Sequence, residues 1–168
     1  MKAKRYSAPR LQANALRALF WLWIFAPLTL WAQTQTNHYQ YHINLTKVED
    51  DKLFVELVTP KFEQDKVVFR IPRIVPGTYD ISDFGRFLNQ FKAEDANGKE
   101  LDWDKIDVNS YAIKNAKSLY KITYWMDDTW DTEIKEDFIF EPGVTNIKKK
   151  KNFVINPFGF FGYFDGFK

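Results

Sequence analysis

A protein that does chemistry must bring nucleophiles, bases or metal ligands within a few ångströms of one another, and this chain is poor in them. It has two histidines, His38 and His42, and no cysteine. On a helix the His-x-x-x-His spacing would bring both rings to one ion. Here the flanking residues alternate as in a strand, where four residues at ~3.3 Å each separate the rings by about 13 Å. A zinc ion needs each ligand nitrogen at ~2 Å, so the pair reads as two rings on a solvated strand face. No HExxH occurs, and no serine sits in a Gly-x-Ser-x-Gly elbow.

The run Asp127-Asp128-Thr129-Trp130-Asp131-Thr132-Glu133 is rich in carboxylates. It lacks the glycine and the twelve-residue ligand order of an EF-hand, so a solvated acidic loop is expected rather than a calcium site. Lys148-Lys149-Lys150-Lys151 reads as a hairpin tip in water. Trp125 falls on the polar side of an alternating strand. Together with Trp130 it is a candidate aromatic platform for a sugar ring or a neighbouring domain, with core placement of Trp125 through a local twist as the competing expectation. Asn44-Leu45-Thr46 fits the N-glycosylation acceptor pattern.

The elements that would position these residues are strands. Tyr39, Tyr41, Ile43 and Leu45 alternate with His38, Gln40, His42, Asn44 and Thr46, which predicts a half-buried strand. The turn 49–52 leads into Leu53-Phe54-Val55-Glu56-Leu57-Val58, and residues 66–71 alternate again, implying two hairpin-like pairings. Pro72 and Pro76 exclude a central strand between them. Pro76-Gly77 suits positions i+1 and i+2 of a type II turn. Residues 81–88 suit a short helical turn with Ile81, Phe84 and Leu88 on one side. Strands are then expected at 91–95, before the Asn97-Gly98 turn, and through Leu101, Trp103, Val108, Tyr111 and Ile113. After the turn at 115–118, more are expected at 120–126, 137–140 and 153–155. Many short strands and no long amphipathic helix argue for an all-β, sandwich-like antiparallel domain. The aromatic stretch 156–167 must either fold back onto a sheet or meet further protein.

The N-terminus belongs to a different class. Residues 1–17 hold five basic residues and no acidic one, and an apolar run follows at 18–32. This is the layout of a signal peptide over 1–32, cleaved after Ala32, with an uncleaved anchor as the alternative. The run is short of the ~20 apolar residues that span a bilayer. The chain has 24 Lys and Arg against 22 Asp and Glu, and five of the bases lie in 1–32, leaving 19 against 22 for residues 33–168. A net acidic domain has no electrostatic case for nucleic acid. Periplasmic or extracellular location is expected, with the membrane met only during export. Without cysteine, the exported fold has no disulfides.

One stretch carries a resemblance. Residues 69–87, Phe-Arg-Ile-Pro-Arg-Ile-Val-Pro-Gly-Thr-Tyr-Asp-Ile-Ser-Asp-Phe-Gly-Arg-Phe, resemble the N-terminal domain of the glycyl aminopeptidase family of exported zinc peptidases, which also carry a PDZ domain. Pro76, Gly77, Thr78, Tyr79, Asp83, Phe84 and Arg86 match the family's element. Ala93 before Asn97-Gly98, the strand from Tyr120 to Tyr124 and the Gly-Tyr-Phe ending near Phe164 add to it. Tyr111 stands where a tryptophan is expected. The resemblance covers most of residues 40–167.

The resemblance implies that the zinc site, an HExxH helix with a downstream glutamate, lies in a following domain outside this chain. No catalytic, metal or cofactor residue is therefore expected here. The implied partner is the catalytic domain of the same polypeptide. The loop 76–86, with Tyr79, Asp83 and Arg86, becomes the candidate interdomain or cleft-side contact, set against the simpler expectation that Asp83 and Arg86 only close the loop on itself. The alternative function is a free-standing periplasmic β-sandwich binding module for glycan or peptide, and a remnant without function is a third.

Overall fold

In the computed structural model the described residues are 35, 37–131, 134 and 138–167. The segment read as a signal peptide lies outside them. Among the described residues ten strands form: β1 (Gln40–Glu49), β2 (Lys52–Val58), β3 (Lys66–Arg70), β4 (Leu88–Asp95), β5 (Trp103–Asp107), β6 (Ser110–Lys114), β7 (Leu119–Asp127), β8 (Asn146–Lys148), β9 (Asn152–Val154) and β10 (Tyr163–Phe164). One four-stranded sheet has the order β1-β2-β7-β4, a second β10-β3-β6-β5, and β8-β9 is a separate hairpin. All pairs are antiparallel. The expected all-β sandwich is the observed fold.

Alternation decides which side chains fill it. In the first sheet Leu53, Val55 and Leu57 of β2 sit opposite Met126, Tyr124 and Ile122 of β7, and all six are buried. In the second, Val67 and Phe69 of β3 sit opposite Ile113 and Tyr111 of β6. Phe69 joins the layers, its ring centroid lying 5.9 Å from Phe91 and 6.0 Å from Tyr124 of the facing sheet.

The chain changes sheet after β2. Thr59 N–H closes that ladder on the Tyr120 carbonyl at 2.9 Å, and Pro60 has no N–H with which to extend it. The expected second hairpin between β2 and β3 therefore does not form; β3 pairs with β6 and β10 instead.

Two bulges shift the inward faces. Register slips between Ile43 and Val48, so Leu45 is 45% exposed and Val48 takes the buried position. In β4, Gln90 has a φ of 50°, and the extra residue lets Leu88, Phe91 and Ala93 all face the core. Three other expectations are corrected. Ile81 is exposed while Phe84 and Leu88 are buried, because the helical turn spans only Phe84–Phe87. Val108 is a partly exposed turn residue between β5 and β6. Residues 138–140 form no strand, and β8 lies later.

The aromatic C-terminal stretch folds back. A one-turn helix α1 (Pro157–Phe160) is capped by the Asn156 side chain, which accepts from Phe158 N–H at 3.0 Å. Tyr124 O–H then donates to the Phe160 carbonyl at 2.9 Å, and Tyr41 O–H to the Gly162 carbonyl at 2.7 Å. Phe164 is buried against Phe69 and Phe62 at centroid distances of 5.3 and 4.6 Å. A Cβ on Gly162 would run into the Phe69 ring and lie 2.6 Å from the Arg70 carbonyl oxygen. Gly162→Ala should therefore cost about 2–3 kcal/mol through overpacking, read as a lower urea midpoint; an unchanged midpoint would show that the segment is not seated there.

Candidate functional site

The loop between β3 and β4 is held at its neck. Ile71 N–H donates to the Asn109 carbonyl at 2.9 Å, and the Arg73 carbonyl accepts both Ser82 N–H at 2.8 Å and Asp83 N–H at 2.9 Å. At its tip Thr78 N–H donates to the Val75 carbonyl at 3.1 Å, with Gly77 at φ 92°. That is the expected Pro-Gly turn, and open space around Gly77 means conformation, not crowding, demands the glycine.

Asp83 is the loop's internal tie. Its Oδ1 accepts from Arg73 Nε at 2.8 Å and from Asn109 Nδ2 at 2.7 Å. The Arg73 bond, with Asn109 and the Arg86 charge assisting, holds its carboxyl below the usual range. Asn109 also accepts from Gly85 N–H at 2.9 Å through Oδ1. A Cβ on Gly85 would strike the Val108 carbonyl and lie 2.6 Å from Asn109 Cα, so this glycine lets the β5–β6 turn pack onto the loop. Arg86 N–H donates to the Asp83 carbonyl at 3.0 Å, and its guanidinium carbon lies 4.8 Å from the Phe87 ring centre. Tyr79 is fully exposed, at φ 56°. The three candidate residues thus do not form one cluster. Asp83 turns inward, Arg86 lies beside it along the backbone, and Tyr79 stands in solvent with Ile74 and Ile81, 49% and 57% exposed.

Asn109 was not legible as a site residue, since a lone asparagine in a turn carries no signal beyond the turn itself. Beside it lies a cleft of 440 Å³ lined by Arg70, Arg73, Asp107, Asn109, Ser110 and Tyr163, among others. Its charges are matched. Arg70 Nε meets Asp165 at 2.6 Å, and Arg70 Nη1 donates to Ser110 Oγ at 2.5 Å. Ser110 has no histidine near it in this lining; its hydroxyl accepts from Arg70, and the carboxylate of the lining, Asp107, lies 3.9 Å from the same guanidinium.

The other candidates resolve individually. Trp125 does lie on the outer face of the first sheet, yet it is only 8% exposed. Phe54 packs edge-on at 5.3 Å and Lys47 Nζ lies 5.2 Å above its ring. It is therefore not an open platform, whereas Trp130 is 55% exposed. The acidic run is not simply solvated. Asp127 pairs with Lys52 at 3.4 Å and Asp131 with Lys148 at 3.4 Å. Asp128 is buried and accepts from the N–H groups of Trp130 and Ile147 at 2.6 and 2.5 Å. Burial raises its carboxyl's pKa, and those backbone donors oppose the rise. Lysines 148–151 do form a hairpin tip between β8 and β9.

The fold is thus an antiparallel β-sandwich with a Pro-Gly loop tied to a neighbouring hairpin. The family model for the Peptidase M61 N-terminal domain matches residues 40–168, and the chain belongs to that family. No curated protein matches. Among solved structures the chain is similar to the aminopeptidase N family protein from Idiomarina loihiensis, at 19% identity and a TM-score of 0.57. That likeness covers 77% of this chain and 20% of the other, and it speaks for the fold. The chain spans about a fifth of that protein's length.

Asp83→Asn tests the tie. With its pKa lowered in the fold, the carboxyl's contribution is fully present above the unfolded value near ~3.9 and is lost as pH falls through the folded one. The variant should lose about 1 kcal/mol at pH 7, as for a partly exposed pair, and progressively less as pH falls below ~3.9, by urea unfolding across that range. A pH-independent difference would mean that Asp83 acts through shape rather than charge.

Proposed function

We propose that this chain is the non-catalytic first domain of an exported glycyl aminopeptidase-type metallopeptidase, packing beside the zinc-bearing catalytic domain and helping to shape its cleft. The observation that carries this reading is the family match, which takes in every strand of the sandwich. The zinc that the family implies does not fit these residues. His42 is exposed on β1, and among the described residues no group of three or more His, Asp or Glu side chains converges as a ligand set. Catalytic zinc takes three protein ligands, so no hydrolytic step is assigned to this domain.

What the domain offers instead is surface on a stiff frame. In the loop 76–86, Asp83 sets the shape with Arg86 beside it, and Tyr79 is the side chain open to a neighbour. The basic start and apolar run of residues 1–32 support a periplasmic or extracellular location.

The purified chain should not turn over glycyl-4-nitroanilide, with or without added Zn²⁺. Added to a family M61 peptidase that lacks its own N-terminal domain, it should raise that protein's melting temperature and turnover. Hydrolysis by the chain alone, or a peptidase indifferent to it, would overturn the reading.

A further inference from the structure

One group of exposed apolar side chains lies beside the β8–β9 hairpin; another, Ile74, Tyr79, Ile81, Ile106 and Val108, lies on the β3–β4 loop and around the β5–β6 turn. Trp130, Phe138 and Phe140 are 55%, 75% and 54% exposed, and Val154 on β9 is 57% exposed. Trp130 stands between two adjoining hollows. One, of 490 Å³, is lined by Val144, Asn146 and Val154; the other, of 210 Å³, by Ile134 and Phe138. At the ~200 Å² typical of an aromatic side chain, the three rings leave roughly 400 Å² of apolar surface in water. A standard interface takes ~800 Å² from each partner, a little over half of it apolar. This one patch therefore supplies most of the apolar half of such a face.

The support beneath Trp130 is rigid. Asp128 is buried and accepts from Trp130 N–H at 2.6 Å, Asp131 N–H at 3.3 Å and Ile147 N–H at 2.5 Å. Thr129 N–H donates to the Thr145 carbonyl at 2.9 Å, and Thr145 N–H returns to Thr129 Oγ1 at 2.8 Å. A tryptophan carried on an anchored backbone, with hollows on both sides to receive partner side chains, has the character of a binding hot spot. The loop 76–86 differs. Its Asp83 is closed onto Arg73 and Asn109, and its neighbouring cleft is lined by ion pairs.

The border of the patch selects the occupant. Lys150 and Lys151 are exposed at the tip of the hairpin whose face forms part of it, while Lys148 pairs with Asp131 at 3.4 Å and Glu141 lines both hollows. A two-fold pairing of copies through this face would bring two lysine-rich hairpins into one interface, which like charge opposes. The fitting partner is an apolar face bordered by carboxylates. We infer that the Trp130–Phe138–Val154 face, rather than the loop 76–86, carries the main binding energy when the catalytic domain of an M61 peptidase docks. This rests on the accessory-domain reading, for which the matched family model is that of a peptidase's N-terminal domain. Tyr79 then belongs to the rim.

The test titrates the full chain calorimetrically into a family M61 peptidase lacking its own N-terminal domain, its folding checked by circular dichroism. Trp130→Asp and Phe138→Asp should each weaken association at least tenfold while leaving the chain's melting temperature unchanged. Tyr79→Asp should weaken it less than threefold. Raising salt should weaken wild-type binding, as a lysine border against carboxylates requires. Loss on Tyr79→Asp with none on Trp130→Asp overturns the inference and leaves the accessory-domain reading standing. No association by the wild-type chain overturns that reading and this inference with it. A dimer of the chain alone that Trp130→Asp dissociates gives the face to a second copy and overturns the inference. Because a trimmed peptidase can lose its fold, a fusion of the two provides a second readout. Amides of residues 129–131 and 138–144 should exchange more slowly in the fusion than in the chain alone, and equal exchange counts against the inference.

Discussion

The sandwich depends on the hydroxyl of Tyr124. This side chain sits on the central strand β7, fully buried between Ile122 and Met126. A hydroxyl carried into an apolar core costs several kcal/mol unless it is bonded. Its partner is the Phe160 carbonyl, and Tyr41, whose hydroxyl it also meets, is bonded to the Gly162 carbonyl. Burial raises the pKa of both phenols, so each stays a neutral donor. The first sheet thus satisfies its core only when residues 160–164 return to it. The same return puts Phe164 against Phe69 and adds β10 to the edge of the second sheet. One polar requirement in β7 therefore couples both sheets to a segment far along the chain, and such non-local closure is slow to form.

What the sequence makes legible follows from period. The strands at 52–58 and 122–126 alternate between inward and outward side chains, because each packs one face on the core. The Pro76-Gly77 turn is legible because both residues have conformational reasons to be there. The bulges are not. Their positions rest on residues such as Gln90 taking a positive φ, which no side-chain type announces. Leu45 was assigned inward by simple alternation, and the slip between Ile43 and Val48 turned it out. Trp125 shows a subtler limit. Alternation placed it on the outer face correctly, but its burial comes from Phe54 on a neighbouring strand and Lys47 beyond it, so only the register reveals it.

The candidate site was legible to a similar depth. The loop and its turn could be read, and so could the possibility that Asp83 closes it. That the closure runs through Arg73 and Asn109 could not, since the tie to Asn109 is made between elements that only the second sheet's pairing brings together. Gly85 has the same origin. Its need for space is set by the approach of Val108 and Asn109, not by its own backbone.

These ties bear on function because they decide which surfaces can still change. A loop whose Asp83 is already matched to Arg73 and Asn109 gains little by exchanging those bonds for a partner's, since every such bond made must replace one lost. Apolar side chains in water face no such exchange, and covering them is favourable at about 25 cal/mol per Å². The domain is therefore divided in kind: the loop 76–86 is built to hold a shape, and the face around Trp130 is built on buried hydrogen bonds that leave its apolar groups outside. In the docking proposed above, shape would fix where the domain sits, and covering that face would supply the free energy.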